Sequence, residues 1–297
     1  MKKEKVQILM STYNGERFLE EQLNSLLQQT YDNIEILIRD DGSKDGTAAI
    51  LKKYQEKYDN IQVYLEENVG LTKSFFTLLQ RSDADYIAFS DQDDVWLEEK
   101  VERAVERLEK IKEPALYCSN KILVDTNLKI IKENTHRKLK PAFENAVVEC
   151  ICTGCTSMMN RALTENIKEH IPKNAIIHDW WCYLTASYLG TVIFDEEAYI
   201  WYRQHERNVI GASSTWFGTV RAKVAYVKEN KGKLKGQLEN FSKLYHQNPD
   251  KDKLIQLLLA SEKMPDKGKV VFGHVFYRQE KLDNVLTRFL FLINRML

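Results

Sequence analysis

Short apolar runs alternate with amphipathic stretches through the first hundred residues. Val6 to Met10 reads as a buried strand, after which Glu16 to Gln29 places Leu19, Gln22, Leu23, Leu26 and Leu27 on one helical face. Ile34 to Ile38 is a second apolar strand, followed by Ile50, Tyr54 and Tyr58 at helical spacing. The alternation continues with a strand at Ile61 to Leu65, a helix near Leu71 to Leu79 and a strand at Tyr86 to Phe89. Repetition of this kind predicts an α/β fold whose parallel strands are joined by right-handed helical crossovers. Val101, Ala104, Val105, Leu108 and Ile111 then mark an amphipathic helix within Leu97 to Ile111, and strand-like pieces follow at Ala115 to Cys118, Ile122 to Val124 and Thr191 to Phe194. From about Ser213 the chain becomes Lys-rich and helical, punctuated by Pro249, Pro265, Gly268 and Gly273. A boundary near residue 212 would separate an α/β domain, 1–212, from a helical region, 213–297.

Three of the expected strands end in polar or acidic residues: Ser11 to Asn14, Asp40 with Asp41, and Asp91 to Asp94. Ligands of open α/β sheets bind beyond the carboxyl ends of the strands, so these clusters are expected to share one crevice.

Composition narrows the chemistry. Lys plus Arg and Asp plus Glu each number 43, so no global positive field draws in nucleic acid. The first apolar segment is too short for a signal peptide and the run Phe289 to Ile293 too short for a membrane span, giving a cytoplasmic expectation. Five cysteines, an odd number, fit a reducing compartment. Cys150, Cys152 and Cys155 pose a zinc question, but no fourth Cys or His lies nearby in sequence, and buried inert thiols are the simpler reading.

Carboxylates crowded at a buried strand end are costly unless a cation neutralises them. Asp91, Asp93 and Asp94 therefore point to a hard divalent metal, Mn2+ or Mg2+, although a solvated turn capping the next helix uses the same residues. Asp40 and Asp41 divide in the same way between a site and a strand-to-helix turn. Neither a phosphate-binding P-loop nor a correctly placed dinucleotide fingerprint is present, which lowers kinase and dehydrogenase readings.

Taken together, STYNGERFLEEQLNSLLQQTYDNIEILIRDDGSKDGT and FSDQDDVW resemble family 2 glycosyltransferases, over roughly residues 5 to 210. The resemblance implies a GT-A fold with a mostly parallel central sheet and a C-terminal helical appendage. It implies that Thr12, Tyr13, Asn14 and Glu16 shape the donor nucleotide pocket and that Asp41 reads the base. Asp91 would meet the ribose or metal, and Asp93 would bind the metal. In IIHDWWCY, Asp179 falls where the family carries its general base, usually in a Glu-Asp pair. His178 replaces the Glu here, which resembles a rhamnosyltransferase subset and implies a dTDP-rhamnose donor. Taken alone, Asp179 reads as a helix cap.

Trp180 and Trp181 are acceptor-site candidates, with core packing the alternative. Gly154, between Thr153 and Cys155, is expected to line the acceptor pocket or simply to permit tight packing. WYRQHERNVIG resembles a loop closing over the donor diphosphate, with His205 a second metal or phosphate ligand and Arg203 and Arg207 as phosphate clamps or surface ion pairs. The implied partners are a nucleoside diphosphate sugar and a saccharide acceptor carried on a polyprenyl diphosphate. The implied reaction inverts the anomeric centre; a UDP-sugar donor, a nucleotide-sugar hydrolase or nucleotidyltransferase, and an inactive sugar-binding scaffold are its competitors. Val285, Leu286, Phe289, Leu290, Leu292, Ile293 and Leu297 form an amphipathic C-terminal helix, open to a peripheral membrane contact, docking on the catalytic domain, or a homodimer.

Overall fold

The structure, a computed structural model, describes residues 3–133, 138–205, 232–261 and 266–294. Four parallel strands form one half of the sheet: β1 (Val6–Thr12), β2 (Ile34–Asp41), β3 (Ile61–Glu66) and β4 (Tyr86–Ser90), in the order β3-β2-β1-β4. They are linked by α1 (Leu19–Leu27), α2 (Thr47–Lys57) and α3 (Leu71–Arg81). Strand pairing has period two, and the two faces part accordingly. Ile8, Met10, Ile36 and Ile38 pack with Leu19, Leu23 and Leu51, whereas Leu9, Leu37 and Phe89 pack with Phe75, Leu78 and Leu79. Burial on both faces is why β1, β2 and β4 are largely apolar runs in the sequence.

The other half is mixed. Beyond β5 (Val95–Trp96), α4 (Lys100–Leu108) leads to β6 (Ala115–Val124) and β7 (Ile130–Glu133). The short α5 (Phe143–Ala146) precedes β8 (Ser157–Asn160), α6 (Arg161–Glu169), α7 (His178–Leu189) and β9 (Thr191–Arg203). β8 sits antiparallel between β4 and β6, β9 is parallel to β6, and β5 pairs antiparallel with β9. The two strand pieces expected at 115–118 and 122–124 are one strand, with polar Ser119 and Asn120 marking the place where its register with β9 shifts.

Two helices begin later than their apolar periodicity alone implies. α1 starts at Leu19 because the Gly15 carbonyl first closes a turn on the Phe18 and Leu19 N–H groups. α4 starts at Lys100 because Leu97 instead donates its N–H to the Tyr199 carbonyl.

The C-terminal helices are α8 (Lys233–Leu244), α9 (Pro249–Ala260), α10 (Asp266–Phe272) and α11 (Lys281–Leu292). Leu234, Leu238 and Phe241 of α8 enter the same apolar cluster as α7, with the Phe241 ring 5.4 Å from those of Trp181 and Tyr188. The boundary expected near residue 212 lies outside the described residues, as does Arg207.

Candidate active site

The loops after β1 and β2 are stitched together by side chains. Thr12, fully buried, donates its hydroxyl to Asp40 (2.9 Å), whose other oxygen accepts the Ser43 N–H (2.9 Å). Asn14 takes φ 48°, a left-handed conformation that Asn tolerates, donates its N–H to Ser43 Oγ (2.8 Å) and accepts the Lys44 N–H (2.8 Å). Glu16 accepts the Gly46 N–H (2.6 Å). Tyr13 stands out from this braced loop at 48% exposure. Gln92 grips the Tyr13 backbone from the β4 side, accepting its N–H (2.8 Å) and donating to its carbonyl (3.2 Å). A side chain at Gly15 would strike Gln92 Oε1 at 2.2 Å, which accounts for glycine there.

Asp91 to Asp94 follow β4 directly. Asp93 Oδ2 lies 2.8 Å from His205 Nε2, so residues 112 apart in sequence meet at one point. Asp91 and Asp94 converge with Cys155, their ligand atoms within 4.8 Å of one another. Burial, then the charges of Asp93 and Asp179, push the Asp91 carboxyl up to about 7. Burial and the charges of Asp93 and Asp91 also raise Asp94 well above the ordinary carboxylate range. Asp94 Oδ1 accepts the Arg203 N–H (3.0 Å), while its buried Oδ2 has no hydrogen-bond partner.

This donor set fits a hard divalent cation. Carboxylate oxygens with one imidazole suit Mn2+ or Mg2+, and a buried carboxylate oxygen without a donor is surplus anionic capacity of the kind a cation satisfies. Burial raises the Cys155 thiol well above its usual value, which keeps it protonated and a poor zinc ligand. Cys152 meets Cys118 (Sγ to Sγ 2.7 Å) rather than Cys155.

Asp179 lies in the first turn of α7 and is half-buried. Its Oδ2 accepts the Gly154 N–H (2.9 Å) and its Oδ1 accepts the Trp180 N–H (2.6 Å), fixing the carboxylate in position. Burial raises it to about 6, against the lowering effect of those two N–H donors and of Lys121. His178, in place of the Glu of the family pair, is buried with its ring 4.0 Å from Phe75 and 4.8 Å from Phe89. Neither ring nitrogen has a partner, and burial lowers its pKa to about 3, so it is neutral. A Cβ at Gly154 would sit 2.8 Å from His178 Nε2, and the packed phenyl rings leave that imidazole little freedom to move. Gly154 thus both admits His178 and donates to Asp179.

The structure gives Arg203 and the two tryptophans places other than those expected. Arg203 is 1% exposed, with Nε donating to the Asp93 carbonyl (2.7 Å), Nη1 to the Thr126 carbonyl (2.8 Å) and Nη2 to Glu21. A guanidinium committed this fully braces the Asp93 backbone and is not available as a diphosphate clamp. Asp41 is buried too; it pairs with Arg39 and accepts the N–H groups of Val69 (2.8 Å) and Gly70 (2.9 Å). Those contacts tie the end of β2 to the loop after β3. Trp181 is 0% exposed among Phe241 and Tyr245, and Trp180 donates its indole N–H to the Ala146 carbonyl (2.7 Å). Truncating a ring buried this completely costs about 3–5 kcal/mol, so these tryptophans serve the core rather than an acceptor surface.

Sequence reasoning passed over Lys121 and Gln92. Lys121, on β6, donates to Thr153 Oγ1 (3.1 Å), lies 3.9 Å from the centre of the Tyr202 ring, and acts electrostatically on both Asp91 and Asp179. A single Lys in a strand carries no signal of this; only the proximity of β6, β9 and the 153–155 turn reveals it. Gln92 was visible within the acidic cluster, but nothing local discloses its grip on Tyr13.

A sheet of this order with an acidic cluster at the end of β4 defines a GT-A fold. Solved structures sharing it include S. aureus TarS 1–349 in complex with UDP, with TM-score 0.61 and 18% identity, covering 96% of this chain and 80% of that one. Another is mannosyltransferase PcManGT from Pyrobaculum calidifontis in complex with GDP-Man and Mn2+, with TM-score 0.57 and 17% identity, covering 99% and 86%. Residues 7–168 match Glycosyl transferase family 2, and the chain belongs to that family. It is 34% identical over 223 residues to dTDP-rhamnosyl transferase RfbG of Shigella flexneri, covering 69% of this chain and 74% of RfbG. It is 37% identical over 102 residues to putative teichuronic acid biosynthesis glycosyltransferase TuaG of Bacillus subtilis, covering 34% of this chain and 40% of TuaG. The chain spans less than two thirds of TuaG and of uncharacterized glycosyltransferase RT0329 of Rickettsia typhi, at 40% and 64% of their lengths. No helix among the described residues is long and apolar enough to cross a membrane.

Proposed function

We propose that this glycosyltransferase transfers L-rhamnose from dTDP-rhamnose to a saccharide acceptor, with inversion and with a divalent metal. The observation that carries the reading is that Asp179, held by the Gly154 N–H, lies close enough to Asp91 for its charge to act there together with that of Asp93, which in turn meets His205. The rhamnosyl donor is supported by the likeness to RfbG over most of both chains and by His178 in place of the usual Glu. The name of TuaG, a putative teichuronic acid biosynthesis glycosyltransferase, supports a setting in cell-surface polysaccharide synthesis.

The donor nucleotide lies against Tyr13, whose exposed ring offers the base a flat apolar face, with Thr12, Asn14 and Glu16 shaping the loop beneath it. Asp91, Asp93 and His205 hold Mn2+ or Mg2+, which when bound supplies Lewis-acid stabilisation to the departing diphosphate. Asp179 removes the proton of the acceptor hydroxyl while that oxygen forms its bond to the anomeric carbon. The bond to the diphosphate oxygen breaks on the opposite face, which inverts the configuration. A base raised to about 6 is ionised at neutral pH and keeps more proton affinity than an ordinary carboxylate.

Lys121 positions charge between the two halves of the site. Its ammonium favours the ionised Asp179, so Lys121→Gln should move the acid limb of the pH–rate profile to higher pH, with activity recovering under alkaline conditions. Lys121→Arg should keep the original limb. A Lys121→Gln enzyme slowed equally at every pH would remove this role.

Membrane-extracted lipid-linked glycans, incubated in turn with radiolabelled dTDP-rhamnose and UDP-glucose, test the assignment. Metal-dependent label in the glycan from dTDP-rhamnose is the expected result. Transfer from UDP-glucose alone would move the donor, and release of free sugar independent of acceptor would replace transfer by hydrolysis.

A further inference from the structure

Helix α7 carries Asp179 in its first turn, yet it supplies little of its own to fix where that turn begins. Its N-cap residue, Ile177, has no polar side chain to accept an N–H of the first turn, and the approach to it over residues 171–177 is irregular. Contacts that hold this approach come from α8, 61 to 67 residues further along the chain. Gln237 Oε1 accepts the Ile176 N–H (2.9 Å), and Asn240 Oδ1 accepts the N–H groups of Lys173 (2.9 Å) and Asn174 (3.2 Å). Residues three apart lie on one side of a helix, so Gln237 and Asn240 present these acceptors together. Gln237 is fully buried, and of its two amide atoms the oxygen is the one engaged.

The other end of α7 is held from α9. Lys251 Nζ donates to the carbonyls of Ser187 (2.8 Å) and Tyr188 (2.8 Å), in the last turn of α7, where carbonyls have no partner within the helix. The Tyr188 hydroxyl donates to Asp252 (2.6 Å) and accepts the Asn248 N–H (2.8 Å). Between these ends the Trp181 ring packs on Phe241 of α8. The helix is thus clamped at its entry, its middle and its exit by the two helices that follow.

Asp179 lies three residues beyond Ile176, and its Oδ2 meets the Gly154 N–H at 2.9 Å, a bond that tolerates little displacement. Misplacing a catalytic group by about 1 Å can cost on the order of 10²-fold in rate. We infer that α8 positions the base: Gln237 and Asn240 fix the entry of the chain into α7, and through it the Asp179 carboxylate. The helical region then belongs to the catalytic unit. Because the donor and metal side is built on the loops after β1 and β4, the effect falls on turnover rather than on donor binding.

The inference rests on the reading of Asp179 as the base, and variants of the full chain test it. Transfer to membrane-extracted lipid-linked glycans is measured in Mn2+ with dTDP-rhamnose or UDP-glucose, whichever supports it. Asn240 is half-buried, so Asn240→Leu should fold while removing the acceptor of two N–H groups. Its turnover should fall about tenfold, with KM and dissociation constant for the donor within about twofold of wild type. Asn240→Asp, which keeps an oxygen there, should restore turnover to within about twofold of wild type. Gln237→Met, similar in size but without the acceptor, should behave as Asn240→Leu does. Wild-type turnover in both Asn240→Leu and Gln237→Met, equal losses in Asn240→Leu and Asn240→Asp, or donor affinity falling in step with turnover would overturn it. Asp179→Asn assayed alongside separates the two readings: an inactive Asp179→Asn beside a fully active Asn240→Leu leaves the base and removes the positioning role, whereas full turnover in Asp179→Asn removes the base and this role with it.

Discussion

Asp179→Asn is expected to lower the turnover of sugar transfer by about 10²–10⁴-fold while leaving donor affinity within a few-fold of wild type. The amide keeps the size of the carboxylate and its oxygen can still accept the Gly154 N–H, while its NH2 gives up the acceptor for the Trp180 N–H, a small loss of stability that leaves the fold in place. What it loses is the ability to take a proton from the acceptor. A general base acts in the transition state, so the loss belongs in turnover and not in donor binding. The same assignment fixes the sign of the pH dependence. Asp179 must be ionised to act, and with its pKa raised to about 6 the wild-type rate should fall as pH drops through that value. A variant that loses donor binding and turnover together, with a lowered melting temperature, would point instead to a structural role at the start of α7.

Asp93→Asn should have the largest effect on donor binding. Asp93 meets His205 at 2.8 Å beside Asp91, and its backbone is braced by Arg203, so the substitution removes charge from a framework that should otherwise stand. Loss of a carboxylate ligand weakens the cation, and through it the hold on the diphosphate. Isothermal titration should show donor affinity in Mn2+ reduced at least tenfold, to near the wild-type value in chelator. Unchanged affinity would remove Asp93 from the metal site.

How much of this was legible in the sequence follows from where each residue finds its partners. The strands β1, β2 and β4 are buried on both faces over most of their length, so their apolar runs are readable, whereas β3 has one buried residue, Ile61, and exposes Gln62 and Leu65. Strand β8 is four residues, Ser-Met-Met-Asn, and is a strand only because β4 and β6 flank it. Helix α7 hides ten of its twelve residues, which leaves no amphipathic contrast to show that Trp181 faces the core. Arg203 looked like a phosphate clamp because its neighbours in sequence are polar; its ion pair with Glu21 spans 182 residues and has no local trace. The partners of Asp41 have no local trace either, since the loop it holds follows another strand. His205 and Asp93 were paired through the family resemblance, and the geometry brings them to one point. In α11 the periodicity marked an amphipathic helix, but no periodicity states which face turns inward.

Thermal stabilisation by dTDP-rhamnose, measured in Mn2+ and again in chelator, bears on the whole assignment at once. A ligand of the native state raises stability by mass action, about 2.7 kcal/mol at a concentration 100-fold above its dissociation constant. The expected result is a clear rise in melting temperature with donor and metal together, largely lost in chelator, and smaller for UDP-glucose. No rise with any nucleoside diphosphate sugar, in either condition, would contradict a metal-held donor site at Asp91, Asp93 and His205.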